Sequence, residues 1–278
     1  MIGADLRPFL GFSEFSSQTS PKEAADRCLR LGLSAFQLVG DFPINFPEFT
    51  PPAFRKEVKE YISQKGVRLH FHSPHDIPLA SRHDRIRQGG VERMKEYVQL
   101  AVDMGASTFV IHPGRFAVYK MSTGSIVLDH KNIPQSYYDR FSNSFRNIVD
   151  FAAGRLSVLL ENTHGFSDRL CQLIDEFLEL DGVGLAWDVA YTAKGDAVNS
   201  SWAAEFISKR LARVKLIHLH DYSRGRGHLA LGTGDLKIKT YIDIIAELKI
   251  DTIIEVFSEA DIVKSLDYID SLYSGRQP

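Results

Sequence analysis

LSVLLENTHGFSDRLCQLIDEFLELDGVGLAWDV, residues 156–189, holds two apolar runs with a helix-like stretch between them, and each run closes on a carboxylate, Glu161 and Asp188. The runs are apolar at successive positions, as in strands buried on both faces. Parallel strands need a crossover of a dozen or more residues, and DRLCQLIDEFLELDG supplies one of helical period. A strand, a helix and a second strand with a polar residue at each strand's end form the unit whose repetition decides the fold.

Further runs of this kind lie near residues 9–13, 34–39, 67–72, 106–112, 214–220 and 251–257, giving eight with the two above. The amphipathic stretches between them are PKEAADRCLRLG, PPAFRKEVKEYISQKG, GGVERMKEYVQLAVDMG, YDRFSNSFRNIVDFAAG, SSWAAEFISKRLA and KIKTYIDIIAELK, with DIVKSLDYIDSLYSG closing the series. Pro21, Pro51 and Pro52 stand at helix starts, where a missing amide hydrogen costs nothing, and Gly32, Gly66, Gly105 and Gly182 stand just past helix ends. An open doubly wound sheet would want a phosphate-binding glycine run after the first strand, and GFSEFSSQTS has no G-x-G-x-x-G. The expectation is an α/β protein, a single TIM (β/α)8 barrel over residues 1–278, with an insert near 114–135 on its ligand side.

In such a barrel the strand ends converge on one mouth. His72 in RLHFHSPH, His112 in FVIHPG, Glu161, Asp188, His218 in LIHLHD and Glu255 in TIIEV all occupy that position. One carboxylate at a strand end is ordinarily a helix cap or an arginine partner, and one histidine is ordinarily a packed core residue. Three buried carboxylates aimed at one mouth would repel strongly unless a cation held them, so the set of six reads as ligands of a divalent ion. His70 with His72, and His218 with His220, lie two apart and face the same side, so spacing does not choose between the members of a pair. His75, His164 and His228 stand evenly between ligand, substrate contact and surface turn.

Lys plus Arg number 33 against 35 Asp plus Glu, a formal charge of -2, so bulk charge gives no support to nucleic-acid binding and leaves only a local basic groove for it. Cys28 and Cys171 fall in helical stretches, which reads as reduced thiols. MIGADLRPF lacks the pattern of an export signal, and no apolar run reaches the length of a membrane span. A soluble cytoplasmic protein with no membrane partner is expected.

HSPHDIPLAS, FVIHPG, LLENTHG, LAWDVAY, IHLHD, GHLALGTGDL and IIEV, in this order over nearly the whole chain, make it resemble the xylose-isomerase-like barrel superfamily. That superfamily joins sugar isomerases and epimerases with apurinic endonucleases of the three-zinc type. The resemblance to the endonucleases implies one ion on His72 and His112, another on Asp188, His218 and Glu255, and Glu161 bridging both. Of their third site only His228 matches; Tyr191 stands where a histidine is expected and Arg226 where an aspartate is expected. The resemblance to the epimerases implies a single ion on Glu161, Asp188, His218 and Glu255.

Three functional expectations follow. The first is a metal-dependent isomerase or epimerase of a small sugar or sugar phosphate, working by enediolate proton transfer with Glu161 and Glu255 as base and acid. Arg224, Arg226, His228, Tyr191 and His75 would then contact substrate, the arginines competing with a reading as a solvated basic loop. The second is a dinuclear phosphoesterase or apurinic-endonuclease-like hydrolase, and the third a noncatalytic metal-binding barrel. One or two divalent ions are expected, zinc or manganese before magnesium or cobalt. The 114–135 insert covers the pocket, joins subunits of a homo-oligomer or decorates the surface.

Overall fold

The computed structural model describes residues 6–113, 118–121, 124–127, 135–163, 168–193 and 205–274. The eight apolar runs become eight parallel strands: β1 (Leu10–Glu14), β2 (Ala35–Val39), β3 (Arg68–His72), β4 (Thr108–Ile111), β5 (Ser157–Glu161), β6 (Val183–Asp188), β7 (Val214–Leu219) and β8 (Thr252–Ile254). Each pairs with its neighbours in chain order, and β1 pairs with β8, so the sheet closes as a barrel. Gly11 lies opposite Ala35 across β1 and β2, and Leu10 opposite Thr252 across β1 and β8. The barrel expected from the sequence is the observed fold.

Helices α1 (Pro21–Arg30), α2 (Pro52–Lys65), α3 (Asp84–Asp103), α4 (Gln135–Ala152), α5 (Asp168–Leu178), α6 (Val189–Ala193), α7 (Ile238–Leu248) and α8 (Glu259–Ser274) follow the strands. At the start of α1 the Ser20 hydroxyl accepts from the Glu23 amide while Glu23 accepts from the Ser20 amide, with Pro21 as the first helical residue. Gly66 ends α2 with φ 66°, a left-handed position open to a residue without a side chain. Two boundaries differ from expectation. Helix α3 begins at Asp84, five residues before Gly89, and runs through both glycines; Gly90 packs close to Ile77, where a Cβ would lie 3.1 Å from Ile77 Cγ2. Strand β8 stops at Ile254, although the Glu255 amide still reaches the Leu219 carbonyl at 3.1 Å.

Of the SSWAAEFISKRLA stretch, residues 205–208 are helical and 200–204 lie outside the described residues. In the 114–135 insert, Val118–Met121 pairs antiparallel with Gly124–Val127, a hairpin that the weak periodicity did not announce. The remainder of that insert up to residue 134 lies outside the described residues, as does His164.

Two packing zones hold the barrel. Between strands and helices lie aromatic residues such as Phe71 and Phe109, whose rings stack 5.7 Å apart, and each fully buried side chain of this size contributes roughly 1.5–3 kcal/mol. Inside the barrel, Ala35, Val110, Leu159, Ala186, Leu216 and Ile253 form a separate, fully buried layer. This layer closes the barrel below the strand ends, so the mouth is a cup with an apolar floor. Gly11 completes the packing by its lack of a side chain, since a Cβ would stand 2.5 Å from the Ala35 carbonyl oxygen. His70 belongs to the lower end: Nδ1 meets Thr108 Oγ1 at 2.9 Å, and Nε2 lies 3.2 Å from Asp251, which Arg68 also holds.

Candidate metal centre

The barrel brings all six expected ligands to one end. His72, Glu161 and Asp188 are the last residues of β3, β5 and β6, His218 is the last but one of β7, and His112 and Glu255 directly follow β4 and β8. Strand alternation turns them inward, over the buried layer. A cavity of about 290 Å³ opens above them, walled by Phe15, Phe257, Tyr191 and His228. That volume suits a small ligand.

Glu161 is the hub. Its Oε2 lies 3.1 Å from His72 Nε2 and 2.9 Å from His112 Nε2, and those two nitrogens are 3.1 Å apart. Its Oε1 faces the other half of the mouth, 3.3 Å from His218 Nδ1, which is in turn 3.5 Å from Glu255 Oε1. His72 donates Nδ1–H to the Ser73 carbonyl at 2.8 Å, which leaves Nε2 as the bare nitrogen facing Glu161.

Asp188 and Asn162 clamp the ends of β5 and β6. The Asn162 amide donates to the Asp188 carbonyl at 2.9 Å, and the Asp188 N–H donates back to Asn162 Oδ1 at 2.8 Å. The Asp188 carboxylate accepts from the Tyr191 amide at 2.9 Å and meets His220 Nε2 at 3.2 Å. His220 Nδ1 accepts the His228 N–H at 2.8 Å, holding His228 at φ 55°, a left-handed backbone uncommon for a histidine. The two rings stack 4.2 Å apart.

The electrostatics are those of a cation site. Glu161, Asp188 and Glu255 are all at least 95 % buried, yet among the described residues their ion-pair partners are imidazoles, with no Lys or Arg. Burial would raise the Glu161 carboxyl, but His112 and His218 outweigh it and hold the group well below the usual range. For Asp188, burial is likewise outweighed, here by His220. Burial pushes His112 down to about 4 against the pull of Glu161, so that imidazole is neutral at pH 7. Burial opposes the charge on His218, but Glu255 and Glu161 lift it to about 9.

His218 Nδ1 is fully buried and lacks a hydrogen bond of good geometry, although it points between two carboxylates. Its other nitrogen meets the Gln37 amide group at 3.0 Å. The Gln37 NH2 donates to Nε2 while the Gln37 oxygen accepts from the Ser13 hydroxyl at 3.4 Å, so Nδ1 holds the proton in the metal-free protein; ligation through Nδ1 would displace that proton and turn the Gln37 amide to accept Nε2–H. An orphaned nitrogen among buried carboxylates is the arrangement a divalent cation satisfies, and the residues fit one. His72, His75 and His112 form one group with the spacing of metal ligands, and His220, His228 and Glu255 form another.

The sequence alone assigns no role to Gln37, Asp41 or Asn162, and leaves His220 as an alternative to His218. Gln37 had a signal, a polar side chain inside the apolar run AFQLV, and its inward position on β2 explains it. The structure places Arg224 and Arg226 on the exposed part of a small hairpin, Asp221–Ser223 with Arg226–Leu229, outside the residues that line the cavity. Tyr191, His228 and His75 do line it. Trp187 turns outward, donating to Thr192 and packing on Tyr241.

An eight-stranded parallel barrel with histidines and carboxylates gathered at the carboxyl ends of its strands defines a class of metal-binding barrels. The chain belongs to the family described as xylose isomerase-like TIM barrel, which matches residues 25–272. It is 26% identical over 180 residues to a protein named "Probable endonuclease 4" from Mycobacterium tuberculosis (strain ATCC 25177 / H37Ra), a match covering 60% of this chain and 64% of that protein. A D-tagatose 3-epimerase-like protein superposes with a TM-score of 0.73 at 20% identity, covering 96% of this chain and 98% of that one. Endonuclease IV from Thermus thermophilus superposes with a TM-score of 0.69 at 16% identity, covering 95% and 98%. The structural likenesses, at 20% identity or less, show the shared fold. Among the described residues no helix is long and apolar enough to cross a membrane.

Proposed function

We propose that this protein is a divalent-metal-dependent hydrolase of a small phosphoester, built around two ions that share Glu161. The observation that carries the reading is the division of the Glu161 carboxylate: Oε2 faces His72 and His112, while Oε1 faces His218. His72, His112 and Glu161 would hold one ion, and Glu161, Asp188, His218 and Glu255 the other. Two such ions, when bound, clamp phosphoryl oxygens and lower the pKa of water. The chain's own work is positional. Gln37, Asn162 and the Ser73 carbonyl fix the ligands, the buried apolar floor keeps water from beneath them, Phe15 with Phe257 edges the opening, and Tyr191 with His228 would face substrate oxygens at the mouth.

A second reading is an isomerase or epimerase of a sugar or sugar phosphate, with Glu161 and Glu255 as base and acid. It is favoured by one feature: these two carboxylates approach the same His218 nitrogen at 3.3 and 3.5 Å, a complete single-ion set with Asp188. Both readings predict a small substrate. The resemblance to the endonucleases implies a third ion for a damaged-DNA substrate, and Tyr191 and the exposed Arg226 stand where two of its ligands are expected.

The deciding experiment gives the zinc- or manganese-loaded protein phosphomonoesters, phosphodiesters and a ketose panel in deuterated water. Metal-dependent phosphate release without carbon-bound deuterium supports hydrolysis. Deuterium entering a ketose at the carbon beside the carbonyl, with one ion per chain, overturns it for the second reading. Cleavage of abasic DNA, with binding that weakens steeply as salt rises, would restore the nucleic-acid substrate.

A further inference from the structure

Past His72 the chain turns through Ser73 and Pro74 and brings His75 back over the mouth. Its ring stacks on His72 with centroids 4.6 Å apart and planes 15° apart, and meets His112 edge-on at 4.5 Å. His72 and His112 are themselves 4.7 Å apart, so the three rings make a nearly equilateral triangle. One ring nitrogen of each lies within 4.8 Å of the other two.

Asp41 holds the His75 ring in place. Its Oδ2 lies 2.6 Å from His75 Nδ1 and its Oδ1 accepts the His75 backbone N–H at 3.0 Å. A proton held on Nδ1 leaves the lone pair on Nε2, the carboxylate–histidine pairing that orients metal-bound imidazoles. The close approach of the two loops depends on Gly40. Its amide donates to the His72 carbonyl at 2.9 Å, and a Cβ there would stand 2.7 Å from Pro74 Cδ.

We propose that His75, locked by Asp41, is a third imidazole ligand of the ion held by His72, His112 and Glu161. This rests on the metal centre proposed above and goes beyond it, because it assigns that ion a shell of three nitrogens and one oxygen. Nitrogen-rich donors select zinc or cobalt over magnesium. The position that exchanges with substrate then falls to the ion on Asp188, His218 and Glu255.

The test loads the full chain with one equivalent of zinc and counts imidazoles by X-ray absorption, then titrates zinc against a competing chelator. The variants are His75→Ala, His75→Phe, which keeps the ring stack, and Asp41→Asn. Three imidazoles are expected in the unaltered protein and two in both His75 variants. Affinity for one ion falls about 10- to 100-fold in the His75 variants, by about 10-fold in Asp41→Asn, and recovers in His75→Ala with free imidazole. Two imidazoles in the unaltered protein, or unchanged affinity and count in both His75 variants, overturn the assignment and leave the metal centre standing. An unaltered protein that binds no zinc overturns both.

Discussion

Replacing Glu161 with Gln keeps the shape of the hub and removes its charge. In the metal-free protein Oε1 lies 3.3 Å from His218 Nδ1, and at an effective dielectric of about 20 that pair attracts by about 5 kcal/mol. Glu255 remains beside the ring, so the His218 pKa falls from about 9 toward the ordinary histidine range without collapsing below it. Because the same carboxylate serves both halves of the mouth, each ion should bind at least about 100-fold more weakly, a loss of about 2.7 kcal/mol apiece. Chelator competition reads the affinities, metal analysis after gel filtration reads the stoichiometry, and histidine NMR titration of the apoprotein reads His218. Glu161→Gln protein that keeps two ions with affinities within threefold of the original, and a His218 pKa near 9, would refute the shared-hub reasoning.

His112→Asn should release the ion on His72 and keep the one on Asp188, His218 and Glu255, whereas His218→Asn should do the reverse; metal stoichiometry of one per chain in each variant checks this. His218, lifted to about 9, carries a proton at pH 7 that an ion must displace, whereas His112, pushed down to about 4, has none to lose. Calorimetry in buffers of different ionisation enthalpy should therefore find about one proton released from His218 near pH 7 and none above its pKa. Because that folded-state pKa is raised, the stabilisation it gives the apoprotein is full below about 6.5 and is lost as pH rises through about 9; denaturant titrations across that window should show the fall. Gly11→Ala forces a Cβ to within 2.5 Å of the Ala35 carbonyl oxygen at the barrel floor and should cost about 1–3 kcal/mol or more, seen as a lower melting temperature.

The barrel was legible because its strands are apolar on both faces and its helices amphipathic, a repeat that β5, α5 and β6 display within 34 residues. The gathering of six polar residues at the strand ends was legible for a related reason. A carboxylate such as Glu161 after VLL, or Asp188 after LAW, violates the apolar pattern just where strands converge. What stayed hidden depends on chain reversals that periodicity does not encode. Asp41 and His75 are 34 residues apart and meet only because Gly40 and Pro74 let two loops touch. The pairs of like histidines could not be resolved by spacing, since His70 and His72 share a face. Depth separates them: His70 bonds Thr108 and approaches Asp251 at the lower end, while His72 reaches the mouth. At the end of β7 both members face carboxylates, His218 on the strand beside Glu161 and His220 just after it beside Asp188. Helix α3 starts at Asp84, ahead of the amphipathic stretch, because DRIRQ adds a first turn whose apolar residue, Ile86, stays exposed and so leaves no periodic signal.

The central claim, that Glu161 joins two ions at the mouth of the barrel, is tested most directly by anomalous diffraction at the zinc edge from zinc-loaded crystals. The account predicts two peaks about 3.5–4 Å apart, one against His72 and His112 and one against Asp188, His218 and Glu255, with the Glu161 carboxylate between them. No peak in the mouth, or a single peak with Glu161 turned away from it, would contradict the account.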